Sequence, residues 1–218
     1  MIKPSLTKIG IMLLISCSVV QTGCITPYRP SEAAILDAKF SAEVKPRIAL
    51  LPPRFSLGSS SGIESGSELS LGRMIVEKLR KRVPQVWVSP EDAVSLIQDA
   101  NVLPEYEALL DGFQKTGIAS KARLAKIGTA VNCPYIALCN LNYSQETSPR
   151  WIGVFRYGRV TIQVLSVATG AVVFEGIGKG ETGPGYGSRD MGTNYVFRLA
   201  ASDVISQLPG SHDEDEAR

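Results

Sequence analysis

Between Pro46 and Leu208 the spacing of apolar residues switches repeatedly between a strand-like and a helix-like period, and the order of those switches restricts the fold more than any other feature. Arg47-Ile48-Ala49-Leu50-Leu51, stopped by Pro52-Pro53, is too short for a helix and is predicted as a buried strand. Ser65 with Glu68 three residues on forms a capping box, and Leu69, Gly72, Val76, Leu79 and Val83 then recur at helical spacing. Lys78, Arg80, Lys81 and Arg82 close that helix and complement its negative end. Val86-Trp87-Val88 follows as a second strand, and Ser89-Pro90-Glu91-Asp92 supplies a cap, a first-turn proline and an acidic box residue for a second helix to about Ala100. Tyr106, Leu109, Leu110 and Phe113 mark a third helix; Leu124, Ile127 and Val131 after the cap Ser120 mark a fourth. Tyr135 to Asn142 is expected as a buried strand. Arg159 to Val167 alternates apolar and polar side chains, turns at Thr169-Gly170 and returns as Ala171 to Ile177. A last helix, Asn194 to Leu208, ends at Pro209-Gly210. The order predicts an α/β fold: a mixed sheet with antiparallel C-terminal strands, packed by helices.

Ahead of this domain, Lys3 and Lys8 precede the apolar run Ile9 to Val20. About a dozen residues make roughly 18 Å of helix, short of a bilayer core of about 30 Å, so the segment fits a cleaved export signal rather than a membrane span. Its end, Gln21-Thr22-Gly23-Cys24, resembles the cleavage site of bacterial lipoprotein signal peptides, in which the cysteine is acylated and becomes the new N-terminus. Cys17, after Leu14-Ile15-Ser16, is the alternative acylation site. That resemblance implies a signal peptide over 1–23 and a lipidated N-terminus with a short tether over 24–45, in which Ala33 to Phe40 is helix-compatible. Ile25 stands where an inner-membrane retention signal has aspartate, which implies the outer membrane, periplasmic side, with the inner membrane or cell surface as alternatives. About 20 residues from Ile25 to Val44 reach at most about 70 Å, keeping a single domain over 46–208 near its membrane.

The chain carries 23 Lys and Arg against 21 Asp and Glu; loss of Lys3 and Lys8 leaves 21 of each, a balance that gives no footprint for nucleic acid. The acidic stretch His212 to Arg218 extends a tail over 209–218 that is expected to be disordered.

The single histidine, His212, lies in that tail, so no nucleophile–histidine constellation can be assembled, and no enzyme, cofactor or metal is expected. Cys133 and Cys139 are six residues apart and flank one strand, about 20 Å apart if both lie on it, which is too far for a disulfide; they are expected as small core or near-core residues, with a loop-bent disulfide as the alternative. Gly178-x-Gly180-x-x-Gly183 matches a dinucleotide fingerprint, but Pro184-Gly185 stands where a helix N-terminus must meet phosphate, so Gly178 to Gly192 is expected as a flexible surface loop. A second loop, Ser144 to Arg156, brings Arg150, Trp151, Phe155 and Arg156 together; these are interface residue types, and the alternative is a satellite core.

Arg47 to Pro52, Leu124-Ala125-Lys126-Ile127-Gly128 leading into Tyr135-Ile136-Ala137-Leu138, and Val164 to Phe174 with its Thr169-Gly170 turn resemble the periplasmic lipoprotein superfamily of CsgG-like and LpoB-like domains, related to the TolB N-terminal domain. The resemblance implies a CsgG/LpoB-like α/β domain on a lipid anchor, a non-catalytic binding or assembly factor whose partners are the membrane and envelope proteins, with homo-oligomers possible in this group. The alternative it implies is an oligomeric component of a CsgG-like export apparatus. Ser144 to Arg156 holds barely one membrane strand of 9 to 11 residues, which departs from the pore-forming members, and the short tether departs from LpoB-like activators.

Overall fold

The computed structural model describes residues 33–35, 40, 46–56, 67–83, 85–116, 118–148, 153–183 and 193–208, all within the compact unit Ser31–Arg218. The signal segment with Cys17 and Cys24, the Ser65 end of the capping box, Pro209-Gly210 and the acidic tail lie outside the described residues.

Described in order, the elements are β1 Ala33–Ile35, β2 Arg47–Leu50, β3 Arg54–Phe55, α1 Ser67–Arg82, β4 Val86–Val88, α2 Pro90–Asp99, α3 Leu103–Thr116, α4 Lys121–Val131, β5 Tyr135–Ser148, β6 Gly153–Ser166, β7 Val172–Thr182 and α5 Thr193–Ser206. They build a seven-stranded sheet in the order β1-β7-β6-β5-β2-β4, with β3 beside β5. β2 runs parallel to β4 and β5, and β3 parallel to β5. β5, β6, β7 and β1 are antiparallel neighbours. The fold is therefore α/β with a mixed sheet whose C-terminal strands are antiparallel.

The pleat divides the core. Ile48 and Leu50 of β2 face α1 and α5, together with Ala137, Cys139 and Leu141 of β5 and Val160, Ile162 and Val164 of β6. Ala49, Leu51, Ile136, Leu138 and Leu165 face the opposite layer, α2, α3 and α4. β2 is apolar on both faces because helices cover both, as expected of a central parallel strand. Pro52-Pro53 ends it, and the chain resumes as β3, where Arg54 pairs with Asn140. Ser89 caps α2 as its sequence indicates: its Oγ accepts from the Asp92 N–H at 3.2 Å, with Pro90 in the first turn. Ser120 precedes α4 without a side-chain cap, and Asn132 ends that helix in the left-handed region at φ 51°.

Three segments differ from the sequence expectation. Ala33–Ile35 is a strand, not a helix: it pairs with Phe174 to Gly176 at the edge of β7, where hydrogen bonding to a waiting strand outweighs the helix preference of two alanines. β5 and β6 continue to Ser148 and from Gly153, so most of the expected loop Ser144 to Arg156 is a continuous antiparallel ladder. Gly178 to Thr182 belongs to β7; Pro184 to Gly192 of the expected loop lies outside the described residues.

The glycines of β7 have a packing role. Gly176, Gly178 and Gly180 occupy alternate positions and face α5 along Val196, Ala200 and Val204. A Cβ on Gly178 would overlap the Ala200 carbonyl oxygen, and one on Gly180 the Val196 carbonyl oxygen. Helix and strand thus meet backbone to backbone, and the apparent dinucleotide fingerprint is a helix-docking stripe. α5 also hooks the strand's edge: the Asp203 carboxylate accepts from the Lys179 N–H at 2.8 Å, and Gln207 Nε2 donates to the Ile177 carbonyl at 3.1 Å. At the far edge of the sheet, Arg80 Nη2 donates to the Trp87 carbonyl of β4 at 3.2 Å. Side chains that occupy edge carbonyls and amides blunt strand addition at those positions.

Cys133 and Cys139 are both buried free thiols. Burial pushes the Cys139 thiol up to about 12. Cys139 is therefore expected to resist iodoacetamide at pH 8 in the folded protein and to react once urea unfolds it, as mass spectrometry would read. A thiol held above its unfolded value adds stability that is complete below about pH 9 and is lost as pH rises toward 12.

Candidate interaction face

The layer α2–α4 covers only the part of its sheet face near Ile136, Leu138 and Leu165. Beyond it, β5, β6 and β7 present Asn142, Ser144 and Glu146; Phe155, Tyr157 and Arg159; and Ile177, Lys179 and Glu181, exposed or half-buried on the side opposite α5. This follows from period two: Gly158, Val160 and Ile162 turn toward α5, so the odd-numbered neighbours turn away. A helix covers one side of this ladder, and the other is a polar face with aromatic residues on it.

Register sets its chemistry. Asn142, Arg159 and Lys179 lie side by side across three strands, as do Ser144, Tyr157 and Glu181, while Glu146 stands opposite Phe155. Phe155 and Tyr157, two residues apart on the same face, stack with ring centroids 6.5 Å apart and planes 10° from parallel. Burial raises the Tyr157 phenol above its ordinary value, and the charges of Glu181 and Glu146 raise it further, so both carboxylates flank that ring. Arg159 and Lys179 are directly opposed like charges, an arrangement that destabilises a ladder. Among the described residues neither has a carboxylate within ion-pair distance. A shallow groove of about 310 Å³ runs between these rows, lined by Asn142, Ser144, Tyr157, Arg159, Lys179 and Glu181.

Of the interface residues read from the sequence, Phe155 sits on this face. Arg156, opposite Gln145 and Thr182, belongs to the α5 side, so the strand sends these two neighbours to opposite faces. Arg150 and Trp151 lie outside the described residues, as do the acylation candidates Cys24 and Cys17. Tyr157, Arg159, Lys179 and Glu181 were missed by the loop reading. Their signal was present: the alternation at Arg159, Thr161 and Gln163 extends back through Tyr157 to Phe155, placing two aromatic rings in the polar phase of a strand.

Among the described residues no three His, Cys, Asp or Glu side chains gather as metal ligands, and no helix is long and apolar enough to cross a membrane. What the face can do is bind. Stacked rings supply rigid contact area and the opposed cations supply charge that a partner's carboxylate would neutralise.

No family model and no curated protein matches the chain. Among solved structures, the chain is similar to the PelC dodecamer of Paraburkholderia phytofirmans at 15% identity, covering 84% of this chain and 98% of that one, with a TM-score of 0.49. It is similar to lipoprotein GNA1162 of Neisseria meningitidis at 10% identity, covering 74% and 96%, with a TM-score of 0.41. It is also similar to E. coli LpoB at 13% identity, covering 82% of each chain, with a TM-score of 0.39. The strand order and helix layers above define the fold independently of these likenesses.

Proposed function

We propose that the chain is an envelope lipoprotein that acts without catalysis, as a binding or assembly factor whose protein partner docks on the open face of β5–β7. The observation that carries this reading is the half-buried Phe155–Tyr157 stack beside the exposed, directly opposed cations Arg159 and Lys179. A ladder keeps such a pair at a local cost that an acidic partner surface would relieve. The anchor is Cys24, with Cys17 as the alternative, after removal of 1–23; the folded domain, read from the sequence over 46–208, also takes in β1 at Ala33–Ile35, with a tail over 209–218, on the periplasmic side of the outer membrane.

The same face carries Glu146 and Glu181 beside its cations, so a second copy is also charge-complementary. That favours a homo-oligomer as the second reading, and the particle mass in detergent by light scattering separates monomer from ring.

Combined Tyr157→Ala and Arg159→Ala substitutions are expected to weaken capture of the envelope partner by roughly thirtyfold, the scale of an interface hot spot, with the fold retained by circular dichroism. Undiminished capture by the double variant would remove the face from the account. Intact-mass analysis of the native product tests the anchor separately, the expected species beginning at acylated Cys24.

A further inference from the structure

The strand β1 shortens the tether. Because Ala33 pairs with Gly176 at the outer edge of β7, only the eight residues 25–32 separate Cys24 from the sheet. Fully extended they reach about 30 Å, and as a flexible coil about 16 Å, in place of the 70 Å that a tether ending at Val44 would allow. The edge formed by β1 and β7 must then stay within that distance of the anchoring bilayer.

The helix that packs on this edge is α5, hooked to it by Asp203 and Gln207. Its buried stripe is Val196, Phe197, Ala200, Ala201, Val204 and Ile205. The outward side presents Arg198 and Leu199, the latter 37% exposed, followed by Ser202. Lys78 of α1 reaches across to donate to Ser202 Oγ at 2.7 Å, which fastens the two helices and sets its ammonium among further cations. Burial holds Lys78 below its ordinary value, and the charges of Arg82, Arg198 and Lys81 lower it further against the single opposing influence of Glu77. Glu77 is itself paired with Lys81 at 3.1 Å. Among the described residues Arg82 and Arg198 have no ion-pair partner.

We propose that the outer face of α5 and α1, through Arg198, Lys78 and Arg82 with Leu199 between headgroups, docks on the anionic lipid leaflet that carries the anchor. This rests on the lipid-anchored reading above and adds an orientation to it. The helices face the bilayer, and the open face of β5–β7, on the other side of the sheet, faces away and is free for a protein partner. Each cation near an anionic leaflet contributes roughly a fivefold factor to the docked population, so three contribute on the order of a hundredfold.

The lipidated full-length product, reconstituted into vesicles, tests it. A donor fluorophore is placed at Leu199→Cys or at Thr161→Cys on the opposite face, with an acceptor on lipid headgroups. In phosphatidylglycerol-containing vesicles transfer from position 199 is expected to exceed that from 161. The difference is expected to collapse in pure phosphatidylcholine, in high salt, and in the Lys78→Gln, Arg82→Gln, Arg198→Gln variant. Equal transfer from both positions in the anionic vesicles, or stronger transfer from 161, overturns the docking. Intact mass of the same preparation separates the two claims. Acylated protein with no positional difference refutes only the orientation, whereas protein without acyl chains removes the tether constraint and the anchored reading together.

Discussion

Gly178→Val is expected to unfold the domain or to lower its stability by about 3 kcal/mol or more, read as the urea midpoint by circular dichroism. A side chain at 178 has no space to enter. Its Cβ alone would overlap the Ala200 carbonyl oxygen and stand 2.7 Å from the Val204 nitrogen, both backbone atoms of α5. Rotamer changes cannot relieve contact with backbone, so the helix must lift from β7. Lifting it breaks the Asp203 and Gln207 hooks on the strand edge and uncovers Phe174, Phe197 and Val204, all fully buried. Gly112, in the middle of α3, is the control: a Cβ there meets nothing within 4 Å. Gly112→Ala is expected to leave stability unchanged or to raise it by up to about 1 kcal/mol through helix propensity.

Phe197→Ala ranks next, with an expected loss of about 3–5 kcal/mol in the same measurement. Phe197 is fully buried on α5 and touches two different strands, its ring 5.8 Å from that of Phe55 on β3 and 6.2 Å from that of Tyr143 on β5. Removing it opens a cavity against the Phe55 and Tyr143 rings. Tyr143 is buried on β5 and α5 is held close to β7 at Gly178 and Gly180, which limits how far the walls can close in. The site therefore collapses poorly, which places the cost toward the upper end of that range.

What was legible in the sequence were the elements whose own residues carry the signal. Ser89-Pro90-Glu91-Asp92 specified the start of α2, and Tyr106, Leu109, Leu110 and Phe113 are the buried stripe of α3. Thr169-Gly170 turned the β6–β7 hairpin, with Gly170 at φ 77°. The elements that escaped are those specified by a partner. β1 is a strand because the edge of β7 stands open to it. The upper half of β7 shows no apolar alternation because its inward residues are glycines, chosen for the approach of a helix backbone rather than for burial of side chains. The end of β5 is polar on both faces from Gln145 to Thr147, and Val154 and Phe155 at the start of β6 are apolar at adjacent positions, so neither end shows a period of two in hydrophobicity. The candidate face was hidden with them. Phe155 was singled out from a supposed loop, yet its functional neighbours are set by cross-strand register, bringing Tyr157 beside Glu181 and Arg159 beside Lys179.

In the function proposed above, the half-buried aromatic stack and the exposed cations beside it make one side of the sheet, rather than the helix layers, the surface for protein partners. Site-specific photocrosslinking in living cells tests this most directly, with the crosslinker placed in turn at Tyr157, Thr161 and Ile177 on the open face and at Glu107 on the exposed side of α3. Discrete protein adducts are expected from the first three positions and none from the fourth. Adducts confined to Glu107, or an open face that captures no protein at all, would contradict it.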